Sequence, residues 1–186
     1  MPAEPLRVVA FCMYLGAWLV SAVAALLALP RLQRQSAAAI RMSPSEVVGM
    51  LMQGAAALPI TLTLTNSPLH PVTAELIGTI VLAPLAVGVL CWTLWSLRGA
   101  SASQTLVTKG PYSWMRHPMY AAFLAMLLAT GLVVSARLTL IAAVVLYVAG
   151  TELRIASEED ALVKQFPTES EEYRLKTRWR YVPGLR

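Results

Sequence analysis

The chain has 186 residues, 57% of them hydrophobic and only 13% charged, with a mean hydropathy of +0.61. Soluble domains carry about a quarter charged residues, so this composition excludes an ordinary water-solvated globule and points to a bilayer. The formal charge is +5, yet the basic residues sit beside apolar segments rather than in one patch, which argues against a nucleic-acid partner. Cys12 and Cys91 both lie inside apolar runs, where a free thiol behaves as a small hydrophobe. Neither has the neighbours of a metal, redox or disulfide site.

The chain reads as about five transmembrane helices, an all-α integral membrane fold with a short amphipathic tail. The first apolar run extends from Val8 to Leu29 and is closed by Pro30-Arg31. At about 1.5 Å per residue, about 22 residues span about 33 Å, enough for the hydrocarbon core and longer than a signal-peptide core. Arg31, Arg34 and Arg41 form a basic connector, and Ser43-Pro44-Ser45-Glu46 reads as an N-cap followed by Pro at the first helical position. The second run, Val47 to Leu64, is weaker because it contains Gln53, Gly54 and Pro59; a kinked span or a re-entrant segment both suit it. A turn from Asn66 to Pro71, with His70 as a loop histidine, leads to the third run, Leu76 to Leu97, with Pro84 and Gly88 inside it. Mid-segment Pro predicts a kink.

The polar connector from Arg98 ends in Lys109-Gly110-Pro111-Tyr112-Ser113-Trp114-Met115-Arg116-His117-Pro118-Met119-Tyr120. Gly110-Pro111 breaks regular structure, Pro118 holds His117 extended, and Pro118 itself suits the first turn of a new helix. Free backbone N–H groups at that helix start, with Arg116 and His117 beside them, would suit an anionic group. Two further apolar segments, Met119 to Ser135 and Leu138 to Ile155, are joined by Ser135-Ala136-Arg137. So short a joint forces an antiparallel hairpin, which brings the Lys109–Tyr120 loop and the residues after Ala149 to one end. Residues 1–97 thus form an N-terminal helical region, and residues 98–186 the connector, hairpin and tail that carry the chemistry.

Arg31, Arg34, Arg41, Arg98, Lys109, Arg116 and the basic tail share one side, against Arg7 and Arg137 on the other. The positive-inside rule then puts that end in the cytoplasm and the N-terminus outside. Trp92, Trp95 and Trp114 read as interfacial anchors, and Trp179 and Tyr181 as part of a tail lying on the membrane surface.

On the last apolar segment Tyr147, Thr151, Arg154 and Glu158 share one helix face. Arg154 and Glu158 can pair, followed by Glu159 and Asp160. A salt bridge with a solvated charged cap would explain these residues alone, but the hairpin brings the face towards Arg116, His117 and Tyr120. Ionisable groups at membrane depth usually face an interior cavity.

The run LVTKGPYSWMRHPMYAAF from Leu106, RIASEEDALVKQF from Arg154 and the Glu172-Tyr173 pair together resemble the isoprenylcysteine carboxyl methyltransferase family and its phospholipid-methyltransferase relatives. The likeness covers roughly the C-terminal half. Ala122 stands where these proteins commonly have Gly, and Lys176 where they have a second Tyr. The resemblance implies S-adenosylmethionine held by the hairpin and tail, with a lipophilic small-molecule or lipid-linked acceptor entering from the bilayer. It further implies cofactor contacts from His117, Tyr120, Glu159, Tyr112 and the backbone around Leu106, Val107 and Gly110. Arg154 would hold an anionic nucleophile, and Glu158 would orient Arg154 or act as base towards an amine. Tyr147, Thr151 and Arg116 are candidates for acceptor binding, although Arg116 could instead anchor the loop. Two rival readings are an NADPH-dependent reductase of the sterol-reductase kind and a non-catalytic scaffold or lipid-binding protein.

Overall fold

A computed structural model describes residues 44–66, 73–100, 106–134 and 137–184, together with Val9, Cys12, Gly16, Leu19 and Val20. The Val8–Leu29 run (apart from those five positions), the arginine connector, Ser43 and His70 lie outside the described residues. Five α-helices fill the described chain: α1 (Pro44–Asn66), α2 (Thr73–Ala100), α3 (Pro118–Val134), α4 (Arg137–Gln165) and α5 (Pro167–Lys176), with a 3-10 turn at Gly110–Ser113. There is no strand among the described residues, only an isolated parallel bridge between Met115 and Trp179.

The helices begin where local chemistry directs. Pro44 opens α1 and Pro118 opens α3, each at a position where the missing N–H is no loss. Glu46 and Glu75 lie in the first turns of α1 and α2, where a negative charge complements the helix dipole. Helix α2 continues through Pro84 without a break, as membrane-type helices tolerate. Thr73–Leu97 and α4 are long and apolar enough to cross a membrane, and Pro118–Val133 is a shorter apolar helix. Large apolar side chains point outward along these helices, including Leu138 at 84% exposed and Val145 at 64%. In water that surface would be very costly, whereas lipid makes it neutral.

Inside, the packing relies on small residues. Helix α1 packs mainly on α4, α2 mainly on α3, and α3 and α4 form the predicted hairpin. Ala83, Ala86, Ala129 and Met126 close the α2–α3 interface, and Ala56, Leu127, Ala143 and Tyr147 close the interface of α1, α3 and α4. Thr79 Oγ1 donates across α2–α3 to the Ala129 carbonyl at 3.1 Å. The tightest crossing is Gly49 on Gly150: a Cβ on Gly150 would lie 2.7 Å from the Gly49 oxygen, and one on Gly49 would lie 2.6 Å from Arg154 Cγ. Gly150→Ala is therefore expected to destabilise the protein by about 1–3 kcal/mol, the usual cost of overpacking. Thermal unfolding in detergent reads this, with Gly88→Ala as the control because nothing lies within 4 Å of a Cβ there.

At the C-terminal end the helix that carries the last apolar segment continues past Ile155 to Gln165. The segment after α5 returns to the loop before α3. The Arg116 N–H donates to the Trp179 carbonyl at 2.9 Å and the His117 N–H to the Arg180 carbonyl at 2.8 Å. Tyr181 is buried against Tyr120 and Ile155, while Trp179 stays partly exposed. At the helix start itself, where free N–H groups were expected to suit an anion, the Tyr120 N–H donates to the His117 carbonyl at 3.2 Å.

Candidate active site

The loop is built against α2. Gly110 has φ +67°, and a Cβ there would lie 2.5 Å from Ser96 Oγ and 3.2 Å from Trp92 Nε1, so only glycine suits both backbone and space. Pro111 is buried in the 3-10 turn. The Trp92 and Trp114 rings meet edge-on at 6.1 Å, and both are exposed, as is Trp95. The strand-like step through Met115 to His117 then presents the Arg116 and His117 side chains to the end of α4.

There the two distant pieces meet. Glu159, buried, faces Arg116 Nε at 3.1 Å, His117 Nε2 at 3.4 Å and Arg180 Nη2 at 3.4 Å. Glu158 accepts from the Tyr120 hydroxyl and faces His117 Nδ1 at 3.4 Å and Arg154 Nη2 at 3.5 Å. The Arg154 guanidinium lies over the Tyr120 ring, 5.2 Å from its centroid, within cation–π range. Arg154 Nη1 donates to Gln53 Oε1 at 2.8 Å, and Gln53 Nε2 donates to Thr151 Oγ1 at 2.7 Å. The Tyr147 hydroxyl donates to the Tyr120 carbonyl at 3.0 Å. Thr151 and Tyr147 are thus buried between helices, with their hydroxyls bonded inside the protein.

Both nitrogens of His117 face carboxylates. A neutral imidazole has one N–H and would turn a lone pair on one of them, whereas the imidazolium donates to both. Burial works against the charge, but Glu158 and Glu159 outweigh it and raise the His117 pKa above its ordinary value. A raised folded-state pKa adds stability that is complete below the unfolded value of about 6.5 and is lost as pH rises through the folded value. The unfolding midpoint is expected to fall across that window in the native protein and to fall less in His117→Gln. Equal pH profiles for the two proteins would contradict the paired imidazolium.

Arg180 ties the tail into the same network, with Nη1 2.7 Å from Glu152 Oε2. The Tyr181 hydroxyl donates to Glu152 Oε1 at 2.9 Å, and burial with that carboxylate pushes its pKa up to about 12. The Tyr173 hydroxyl donates to the Tyr112 carbonyl at 2.7 Å, fixing α5 to the loop. Burial raises the pKa of both phenols, so both stay protonated.

A small cleft, with about 20 Å³ of enclosed space, is lined by Arg116, His117, Glu159, Leu162, Val163, Ser170, Tyr173 and Arg174. The imidazole stands between two halves. Its Nε2 edge faces Glu159, which lines the cleft. Its Nδ1 edge faces Glu158, which is held in turn with Tyr120 and Arg154. Leu106, Val107, Gly110 and Tyr112 belong to the adjoining loop and do not line the cleft. Two guanidiniums, a carboxylate, an imidazole and a phenol ring border the cleft, whose exposed lining is mostly apolar. Buried polar atoms also remain unbonded here: Arg154 Nε has no hydrogen-bond partner, and Arg116 Nε, though close to Glu159, meets it at an angle unsuited to one.

Gln53, Glu152, Arg174 and Arg180 were given no role by the sequence, and Tyr173 only belonged to the Glu172-Tyr173 resemblance. The alternation Arg178-Trp179-Arg180-Tyr181 was the visible signal for Arg180 alone.

Comparison with curated proteins gave no match. The model of the isoprenylcysteine carboxyl methyltransferase (ICMT) family matches residues 72–164, which run from the start of α2 to the end of α4. That region is half of the 186 residues and contains both pieces of chain that meet at His117. The chain therefore belongs to the ICMT family of membrane methyltransferases.

Proposed function

We propose that the protein transfers the methyl group of S-adenosylmethionine to a lipophilic acceptor, an isoprenylcysteine carboxylate or another membrane-partitioned small molecule. The observation that carries this reading is the meeting of Arg116, His117 and Tyr120 with Arg154, Glu158 and Glu159 at one end of an apolar bundle. When bound, S-adenosylmethionine supplies an electrophilic methyl group on a sulfonium.

In this reading Glu159 holds the cationic part of the donor, Arg116 and Arg174 hold its carboxylate, and His117 and Tyr173 flank its aromatic part. Leu106, Val107 and Gly110 do not line that cleft and take no part in this reading, and the Tyr112 carbonyl serves by holding the Tyr173 hydroxyl. Arg154 holds an anionic acceptor oxygen, Glu158 and the Tyr120 ring keep its guanidinium oriented, and the buried Tyr147 and Thr151 act from behind by bonding the Tyr120 carbonyl and Gln53. Rate then comes mainly from holding two reactants in line in a dry site. The excess of Lys and Arg on this side supports a cytoplasm-facing site, with the N-terminus outside.

The test is incubation of the purified protein in lipid vesicles with methyl-labelled donor and a native membrane extract, followed by identification of the labelled product. A labelled lipophilic ester, amine or thioether is the expected result. No labelled product contradicts the proposal, as does stabilisation by NADPH that exceeds stabilisation by S-adenosylhomocysteine.

A further inference from the structure

Helix α1 lies outside the region matched by the family, residues 72–164, yet it sends one polar side chain into the site. Gln53 accepts from Arg154 Nη1 at 2.8 Å and donates to Thr151 Oγ1 at 2.7 Å. A primary amide in an apolar helix is costly to desolvate unless its groups are bonded, and here its oxygen and nitrogen each find a partner on α4. Those partners stand 101 and 98 positions away in sequence. The approach is made possible by the Gly49–Gly150 crossing, one turn from Gln53 and one turn from Arg154, where the backbones are too close for any Cβ.

The consequence for Arg154 is geometric. Its side chain is held by Gln53 at Nη1, by Glu158 at Nη2 and by the Tyr120 ring at its face. Glu158 is shared with His117 and Tyr120, so it cannot alone fix the guanidinium's rotation. Gln53 supplies the shortest polar contact that Arg154 makes. Thr151, by holding the amide nitrogen, fixes which way the amide points.

We propose that Gln53 is a positioning residue for methyl transfer, acting through Arg154 and setting the angle at which the guanidinium meets an anionic acceptor. This rests on the role given to Arg154 under the proposed function. An arginine held by two carboxylates would sit in a group of net negative charge that repels an anion. Held by one carboxylate and one neutral amide, Arg154 belongs to a pair of zero net charge. A neutral glutamine at this position therefore orients the guanidinium without adding a negative charge against an anionic acceptor.

The experiment compares native protein, Gln53→Met, Gln53→Glu, Arg154→Lys and the double variant Gln53→Met/Arg154→Lys in lipid vesicles. The acceptor probe is N-acetyl-S-farnesylcysteine, and binding of S-adenosylhomocysteine is measured alongside. Gln53→Met keeps the side chain's length and is expected to lower kcat about tenfold to a hundredfold, the scale of a misplaced group, with donor KM and S-adenosylhomocysteine affinity unchanged. Gln53→Glu is expected to raise acceptor KM. The double variant should be no slower than Arg154→Lys alone, since Gln53 acts through that guanidinium. Additive losses, or full activity in Gln53→Met, overturn the proposal. Should Gln53→Met unfold, Gln53→Glu carries the kinetic test, and an unchanged acceptor KM then overturns it. Native protein inactive on this probe would count against the acceptor class of the proposed function instead. The link is then judged by phenylglyoxal modification of Arg154, read by mass spectrometry: faster in Gln53→Met supports it, and an equal rate overturns it.

Discussion

Replacing Glu159 with Gln is expected to produce the largest loss of stability of any single substitution at this site. The carboxylate is surrounded by Arg116 Nε at 3.1 Å, His117 Nε2 at 3.4 Å and Arg180 Nη2 at 3.4 Å, and its side chain is 10% exposed. Removing the charge leaves two guanidiniums and an imidazolium facing one another with only a neutral amide between them. Removing one partner of a buried ion pair typically costs about 3–5 kcal/mol, because the remaining charge is stranded away from water. The same change detaches the tail, since Arg180 then keeps only Glu152. Thermal unfolding in detergent should show a large drop for Glu159→Gln and a smaller one for Glu159→Asp, which retains the charge. An unfolding midpoint equal to that of the native protein would mean that the network is solvated.

Arg154→Lys should do the opposite, leaving stability nearly intact and removing turnover. Lysine keeps the positive charge but cannot bond Gln53 and Glu158 from two nitrogens while stacking on Tyr120, which needs the planar fork. Because Arg154 does not line the cleft that holds Arg116, His117 and Glu159, S-adenosylhomocysteine should bind as before. A fall in kcat of about a hundredfold or more is expected, the scale set by loss of orientation at the reacting group. Transfer at the native rate in Arg154→Lys would remove this residue from the chemistry. Equal loss of donor binding and of turnover would move it into the donor site.

Much of the scaffold could be read from the chain because apolar runs bounded by Pro and charge have few alternatives. The three residues Ser135-Ala136-Arg137 alone predicted a hairpin, and that hairpin is why His117 meets Glu158 and Glu159. The end of α4 was only partly legible, because the apolar pattern stops near Ile155 whereas helix formers such as Glu, Ala, Leu and Lys carry the helix to Gln165. The return of the tail was hidden for a different reason: its anchors are backbone carbonyls of Trp179 and Arg180, and any residues there could provide them. Gln53 looked like a flaw in a membrane helix when judged only by its neighbours. Its partners, Thr151 and Arg154, lie about half the chain away, where no periodicity can reveal them.

The most direct test of the central claim is calorimetric titration of the detergent-solubilised protein with S-adenosylhomocysteine. One-to-one binding that is lost or greatly weakened in Arg116→Ala and in His117→Ala, and retained in Arg154→Lys, is the result predicted if the loop before α3 and the end of α4 enclose the donor. Native binding that both alanine substitutions leave untouched would contradict it.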